Sequence, residues 1–228
     1  MLTFTPGLWL YILSGIILLI LAGIIWRFRK TDTGTAFLLL IGGAFIWSVG
    51  FAFETAAASL QLKILLANIQ YIGLTIIPLA WLYLALSFRG KTRPVKFWLL
   101  LGIAPLITNL IIWSDSYHHL FRGAPHLDVS SAPFSVLVND YQFWFYFIHV
   151  PTGYIYMAAA IYETLRGLRG MKPLYRFQSL TVLAALLLPV TTDVLYIFGF
   201  SPIPFYNITP AIFSISAALA AWGLFRFQ

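Results

Sequence analysis

Residues 7–30 read GLWLYILSGIILLILAGIIWRFRK, an apolar run that ends in a cluster of basic side chains. The apolar part is close to the roughly 20 residues that a helix needs to cross about 30 Å of hydrocarbon. Six runs of similar kind follow it. With 61% hydrophobic and 9% charged residues, the chain has too little polar surface for a soluble globule. The predicted spans are Gly7–Trp26, Thr35–Ala56, Ile64–Phe88, Phe97–Trp113, Tyr141–Glu163, Phe177–Phe200 and Tyr206–Phe225. The sequence therefore predicts an all-α membrane protein, with residues 1–228 forming a single seven-transmembrane helix bundle.

The basic residues predict the orientation of this bundle, because they lie in alternate gaps between the runs. Lys63 and Arg122 are the two exceptions among the 14 basic residues. Loops rich in Lys and Arg stay on the cytoplasmic side, so we expect an outside N-terminus and a cytoplasmic C-terminus in a multi-pass protein of the cell membrane. The net charge of +7 then reflects topology and contact with the lipid bilayer, and we expect no nucleic-acid partner.

Several kinds of site are excluded by the residues that are missing from the sequence. There is no cysteine, and the four histidines lack metal-ligand spacing, so neither a thiolate site nor a zinc site is expected. Retinal binding requires a lysine in the last helix, but no lysine follows Lys172. A phosphate-binding glycine loop is also absent. We therefore expect no metal, no cofactor and no catalytic residue.

Polar residues within the helices collect in the half of the bundle that the charge rule places outside. Ionisable groups in membrane helices are costly and usually face the bundle interior, which predicts an outward-facing pocket. Aromatic side chains are expected to line it. The candidate ligand-binding residues are Glu54, Asn68, Tyr71, Trp81, Trp144, His149, Asp193, Tyr196 and Asn207.

Each of these residues also has a structural interpretation. Glu54 is near enough to a helix end to be solvated, Asp193 is placed to bond a neighbouring helix, and His149 has the surroundings of a core histidine. Most Trp and Tyr residues of a membrane protein anchor the interface rather than line a pocket. The extracytoplasmic loop, residues 114–140, is long enough to be functional or flexible, and Phe134–Val138 is a candidate for a short hairpin or lid.

Three stretches carry a resemblance to a known family. They are ETAAASLQLKILLANIQYIGLTIIPLAWLYLALSF at 54–88, YRFQSLTVLAALLLPVTTDVLYIFGF at 175–200 and NITPAIFSISAALAAWGLFRF at 207–227. Together they resemble the N-terminal seven-transmembrane region of bacterial and archaeal histidine kinases, and the similarity extends over Leu2–Arg226.

The resemblance implies a sensory input domain. Such a domain binds a small ligand and passes a helix movement to a cytoplasmic kinase or similar output, in the same chain or another, with a homodimer as one possible arrangement. Two alternatives stay open on the residues alone. One is a small transporter or channel, which needs polar residues through the inner half, and the other is an intramembrane enzyme that uses Glu54 and Asp193 as paired carboxylates.

Overall fold

The computed structural model describes residues 7–91, 93–128, 135–168, 173–200 and 207–225. Within these ranges, seven helices have 17 to 29 residues each. They are α1 (Leu8–Ile25), α2 (Asp32–Ala56), α3 (Leu60–Phe88), α4 (Val95–Trp113), α6 (Val150–Gly167), α7 (Pro173–Ile197) and α8 (Thr209–Phe225). The connection from α4 to α6 contains the short helix α5 (Asp115–His118), the strands β1 (His126–Asp128) and β2 (Val136–Val138), and a π-helical turn (Phe145–His149).

Length and apolar composition mark most of these helices as membrane helices. Five of them are long and apolar enough to cross a bilayer, and α8 is a shorter apolar helix. The outward faces of α1 and α4 expose large apolar side chains such as Trp9, Leu13, Leu99 and Leu106. A surface of this kind is stable in lipid rather than in water. The all-helical membrane fold predicted from the sequence is therefore confirmed, and the chain is a multi-pass membrane protein.

The helices α2 and α3 begin earlier than their apolar runs, because capping residues lie ahead of those runs. The hydroxyl of Thr31 accepts the backbone N–H of Gly34 at 3.0 Å, so α2 begins at Asp32 rather than Thr35. The hydroxyl of Ser59 accepts the N–H of Leu62 at 3.4 Å and starts α3 at Leu60 rather than Ile64. Side-chain oxygens at this position satisfy N–H groups that the helix cannot pair itself.

The helices α1, α2, α3, α6, α7 and α8 pack in a closed ring, and α4 packs outside the ring against α3. Consecutive helices run in opposite directions, so α1 and α8 are parallel neighbours. The Tyr11 hydroxyl donates to the carbonyl of Asn207 at 2.7 Å near their first turns. At the other end, the rings of Phe28 and Phe225 stack with centroids 4.9 Å apart.

The two ends of the ring differ in chemistry. The basic end, where α1, α3, α6 and α8 finish, contains the ion pair between Arg89 and Glu163 and the hydrogen bond from Tyr83 to Asp32. The loop end, where α2, α4 and α7 finish, contains α5 and the antiparallel hairpin of β1 and β2. The basic half is filled by an apolar core that includes Trp81, Leu84, Ala160, Val182, Ala185, Leu186, Ala217, Ala220 and Leu224.

The helices α2 and α3 approach each other closely in the ring. A Cβ atom built on Gly73 would lie 2.2 Å from the carbonyl oxygen of Gly43, and one built on Gly43 would lie 3.0 Å from the carbonyl oxygen of Gly73. The obstacle is backbone, which cannot rotate away as a side chain can. Glycine at both positions is therefore what allows the two helices to approach, as in other membrane helix pairs with small residues at the interface.

We predict that Gly73→Ala lowers the thermal stability of the detergent-solubilised protein, because the added methyl group forces α2 and α3 apart. Overpacking of this kind typically costs about 1–3 kcal/mol. The matched control is Gly42→Ala, which places a methyl group where no atom lies within 4 Å. Thermal unfolding followed by tryptophan fluorescence should show a lower midpoint for Gly73→Ala alone. Equal midpoints for the two variants would contradict the packing argument.

Candidate ligand pocket

A cavity of about 650 Å³ lies at the loop end, inside the ring of helices. Its wall contains side chains from α2, α3, the π-helical turn, α6, α7 and the first turn of α8, together with residues of β2. The wall is mostly apolar and aromatic, with a small number of polar groups. Pockets of about 300–1,000 Å³ with this composition are typical of small-molecule sites.

One wall of the cavity contains a buried acid and a buried amine. Gln70 donates its side-chain amide to the Glu54 carboxylate at 2.5 Å. The ammonium of Lys63 donates to the backbone carbonyl of Glu54 at 2.7 Å. Glu54 is 8% exposed and Lys63 is 1% exposed. An isolated buried charge would be strongly destabilising. The proximity of the two opposite charges and the hydrogen bond from the Gln70 amide offset this cost.

The opposite wall carries a second carboxylate, that of Asp193 on α7. The hydroxyl of Tyr154 on α6 donates to its Oδ2 atom at 3.2 Å. Asp193 is partly buried and faces the cavity, as does Tyr196 one turn further along α7. In the part of the chain that the structure describes, Asp193 forms no ion pair with a Lys or Arg side chain.

A cluster of aromatic rings closes the cavity on the side of α3 and the π-helical turn. The hydroxyl groups of Tyr71 and Tyr141 are 2.9 Å apart and share a hydrogen bond. The ring of Tyr141 stacks on Phe145 with centroids 3.7 Å apart. The rings of His149 and Tyr71 meet in a T-shaped arrangement with centroids 5.4 Å apart. These contacts hold the rings in place, so the wall is largely preformed.

The π-helical turn brings these rings to the cavity. The N–H of Val150 bonds to the carbonyl of Phe145, one residue further back than in an α-helix. Pro151 follows directly and has no N–H to close an ordinary turn on Phe147, which favours the wider turn. The result places Phe145, Tyr146 and His149 on the cavity wall.

The loop above the cavity is organised around Asp115. Its carboxylate oxygens accept the backbone N–H groups of Phe121 at 2.8 Å and Arg122 at 3.0 Å. Arg122 is 2% exposed, donates to the side-chain oxygen of Asn68 at 2.6 Å, and lies 5.4 Å from the centroid of the Tyr71 ring. The loop is thereby attached to α3, and the guanidinium supports the tyrosine from outside the cavity.

The hairpin of β1 and β2 lies at the mouth of the cavity. His126, Leu127 and Asp128 pair with Val138, Leu137 and Val136 in an antiparallel register. Ser135, Val136, Leu137 and Asn139 line the cavity from this side. The candidate lid segment Phe134–Val138 includes β2, while Phe134 itself is outside the described residues.

A comparison with known families decides what this chain is. The family model described as the N-terminal 7TM region of histidine kinase matches residues 10–228. The chain belongs to this family. The resemblance noted in the sequence is therefore confirmed, and this histidine-kinase 7TM region is the input part of such proteins rather than their catalytic domain. A search of curated proteins gave no match.

The structure brings six of the nine candidate residues of this 7TM region to one cavity. Glu54, Tyr71, His149, Asp193, Tyr196 and Asn207 line it. Asn207 also caps α8, because its side-chain oxygen accepts the N–H of Thr209 at 2.9 Å. These six residues come from elements far apart in the sequence. Depth in the helix was the signal that related the others, and aromatic character was the signal for Tyr196.

The remaining three candidates lie outside the cavity. Asn68 faces the loop and holds Arg122. Trp81 is fully buried in the apolar core nearer the basic end. Trp144 points towards α4, where its indole N–H donates to the hydroxyl of Thr108 at 3.1 Å.

Sequence reasoning missed several residues of α3 that line the cavity, namely Lys63, Gln70, Leu74 and Ile77. The candidate Tyr71 lines the cavity with them, whereas the candidate Asn68 faces the loop. A step of one residue rotates a helical position by about a quarter of a turn. Lys63, Ala67 and Gln70 have the i, i+4, i+7 spacing of one helix face, but nothing in the sequence favoured this face of α3 over the neighbouring one.

We predict that Asp115→Ala loosens the loop above the cavity, because two backbone N–H groups lose their partner. Such losses typically cost about 1–3 kcal/mol. Hydrogen–deuterium exchange should become faster at residues 120–122, while exchange in α2 stays as in the unsubstituted protein. Tyr117→Ala is the control, since this neighbouring side chain is 89% exposed. Unchanged exchange in Asp115→Ala would show that other contacts hold the loop.

Proposed function

We propose that this chain is a sensory input domain that crosses the membrane seven times with its N-terminus outside. It binds a small molecule in the cavity at the loop end and transmits a helix movement to a cytoplasmic output such as a histidine kinase. The observation that carries this proposal is the aromatic-walled cavity with two carboxylates, found in a chain of the histidine-kinase 7TM family.

The proposed orientation rests on where the ring of helices places its charges. Arg89, Lys91 and Glu163 form an ionic cluster at the basic end. The two basic residues that the charge rule left on the other side, Lys63 and Arg122, are buried at the loop end and bonded to protein atoms. They therefore do not form an exposed basic patch that would favour a cytoplasmic location of the loop end.

Packing beneath the cavity favours a sensor over a transporter or channel. Among the described residues, the basic half of the ring is filled by an apolar core. Two of the polar side chains at this depth bond to helix carbonyls: Thr164 donates to Ala160 at 2.8 Å, and Ser216 on α8 donates to Ala185 on α7. A transport path would need polar groups that face an open lumen through this half.

A route for transmission follows from α7 and α8. Pro189 lies inside α7, lines the cavity and is one turn from Asp193. Proline removes a backbone hydrogen bond and so lowers the cost of bending at this point. The bond from Ser216 to Ala185 joins α7 to α8, whose last turn lies at the basic end. A ligand that binds one bent conformation of α7 better than another would shift the populations of these conformations, and α8 would move with α7.

We predict that reporter fusions after Lys30, Lys96 and Lys172 all indicate the cytoplasm. The reason is that each position follows a cluster of basic residues, and such clusters are retained on that side. A paired alkaline-phosphatase and fluorescent-protein reporter gives a positive signal for either side. An external signal at two of the three positions would refute the proposed topology.

We predict that Pro189→Ala changes the output of a fusion of this chain to a histidine-kinase module, because the restored hydrogen bond stiffens α7 beside the cavity. Autophosphorylation in isolated membranes is the measurement. Asp193→Asn should also change this output. Pro105→Ala is the matched control, since this proline lies inside α4 and does not line the large cavity.

The sensor proposal fails if Pro189→Ala and Asp193→Asn both keep the output of the unsubstituted fusion while the isolated chain moves a solute into liposomes. That combination would favour the transporter alternative.

A further inference from the structure

We propose that the cavity selects an amphipathic organic cation, an amine with an apolar body whose charged group binds Asp193. This inference deepens the proposed function, since it names the chemical class of ligand for the same cavity. It depends on three features of the wall: the balance of charge, the placement of aromatic rings, and the size of the space.

The charge balance singles out Asp193. Two other carboxylates of the bundle have a basic group close by: Glu163 pairs with Arg89, and Glu54 accepts the Gln70 amide and lies near the Lys63 ammonium, which bonds to its backbone carbonyl. Asp193 has one neutral donor, the Tyr154 hydroxyl, among the described residues. The sequence of the neighbouring connection, residues 201–206, is SPIPFY and contains no basic residue. A carboxylate in this setting is stabilised by a cation that the protein itself does not supply.

The wall opposite Asp193 carries basic groups that repel the positive group of the ligand, and this repulsion orients the ligand. Lys63 lines the cavity beside Glu54, and the Arg122 guanidinium lies behind Tyr71. Neither of these basic groups is part of the α7 wall. The positive group of a ligand is therefore attracted to Asp193 and kept from the α3 wall, which leaves the ligand body across the middle of the cavity.

Aromatic rings surround the path between these walls. Tyr154 and Tyr196 lie beside Asp193, and Tyr146, His149 and Phe213 line the adjoining surface. The face of a phenol or phenyl ring attracts an ammonium group and also packs against an apolar chain. Such walls favour an organic amine over a hydrated metal ion, because among the described residues no three acidic or histidine side chains lie close enough together to replace the water shell of the ion. A space of about 650 Å³ accommodates a body of roughly drug size.

The test uses three probes of matched size that differ in charge: 4-phenylbutylamine, 4-phenylbutan-1-ol and 4-phenylbutyrate. Binding to the full chain in nanodiscs is measured by saturation-transfer NMR and by titration calorimetry. Empty nanodiscs of the same lipid supply the background for partition into the bilayer. We expect the amine to bind at least about tenfold more tightly than the alcohol, and the carboxylate more weakly than either, because a hydrogen-bonded charge pair in a partly desolvated site contributes this much.

Two substitutions test the placement of the amine. Asp193→Asn keeps the shape of the side chain and removes its charge, so affinity for 4-phenylbutylamine should fall about tenfold or more while affinity for the alcohol stays the same. Asp32→Asn is the control, because this carboxylate is exposed at the basic end, where it accepts the Tyr83 hydroxyl at 3.1 Å. Near-ultraviolet circular dichroism verifies that both variants are folded.

The inference is overturned if the amine fails to bind, if the carboxylate probe binds as tightly as the amine, or if Asp193→Asn binds the amine with unchanged affinity. A loss in Glu54→Gln without one in Asp193→Asn also overturns it, because the charge would then sit on the other wall. These outcomes are separable from failure of the sensor proposal, which is judged by kinase output and solute uptake. A cavity that prefers anions would still be compatible with a sensor.

Discussion

The close approach of α2 and α3 at Gly43 and Gly73 is the constraint on which the rest of the structure depends. Backbone meets backbone at this contact, so the two helices have little freedom to slide or rotate against each other. Their remaining turns carry the Glu54 carboxylate and its partner Gln70 to the loop end in register. Van der Waals packing of small residues is a main source of helix association in lipid, where the hydrophobic effect between helices is absent.

The same rigid pair explains why buried charge is tolerated at the loop end. Lys63 lies in the first turn of α3, shortly after the end of α2, so its ammonium reaches the backbone carbonyl of Glu54 in the last turn of α2. Arg122 reaches Asn68 on α3 from the loop, and Asp115 fixes the backbone from which it extends. Each cation thus bonds to an atom whose position the packed pair of α2 and α3 already determines. Asp193 is outside this network, on the α7 wall one turn from Pro189, where the missing backbone hydrogen bond lowers the cost of bending.

The helices could be predicted from the sequence more completely than the residues that line the cavity. The apolar runs predicted an all-helical membrane protein, since membrane helices must satisfy their backbone internally and need a minimum length. Their first residues were placed up to four residues late where Thr31 and Ser59 cap polar first turns. Depth in the helix related Glu54, Asp193 and Asn207 to one another, but Asn68 and Trp144 have the same depth and face other partners.

By itself the sequence determined the membrane fold, the family and the depth at which polar groups collect, because composition, run length and charge spacing are local properties of the chain. Only the tertiary structure decided which side chains share the cavity. A helix presents a new direction at every residue, and the close contact of Gly43 with Gly73 selects the face with Lys63 and Gln70 over the face with Asn68. The π-helical turn before Pro151 likewise re-aims three aromatic side chains, and no spacing rule in the sequence specifies that rotation.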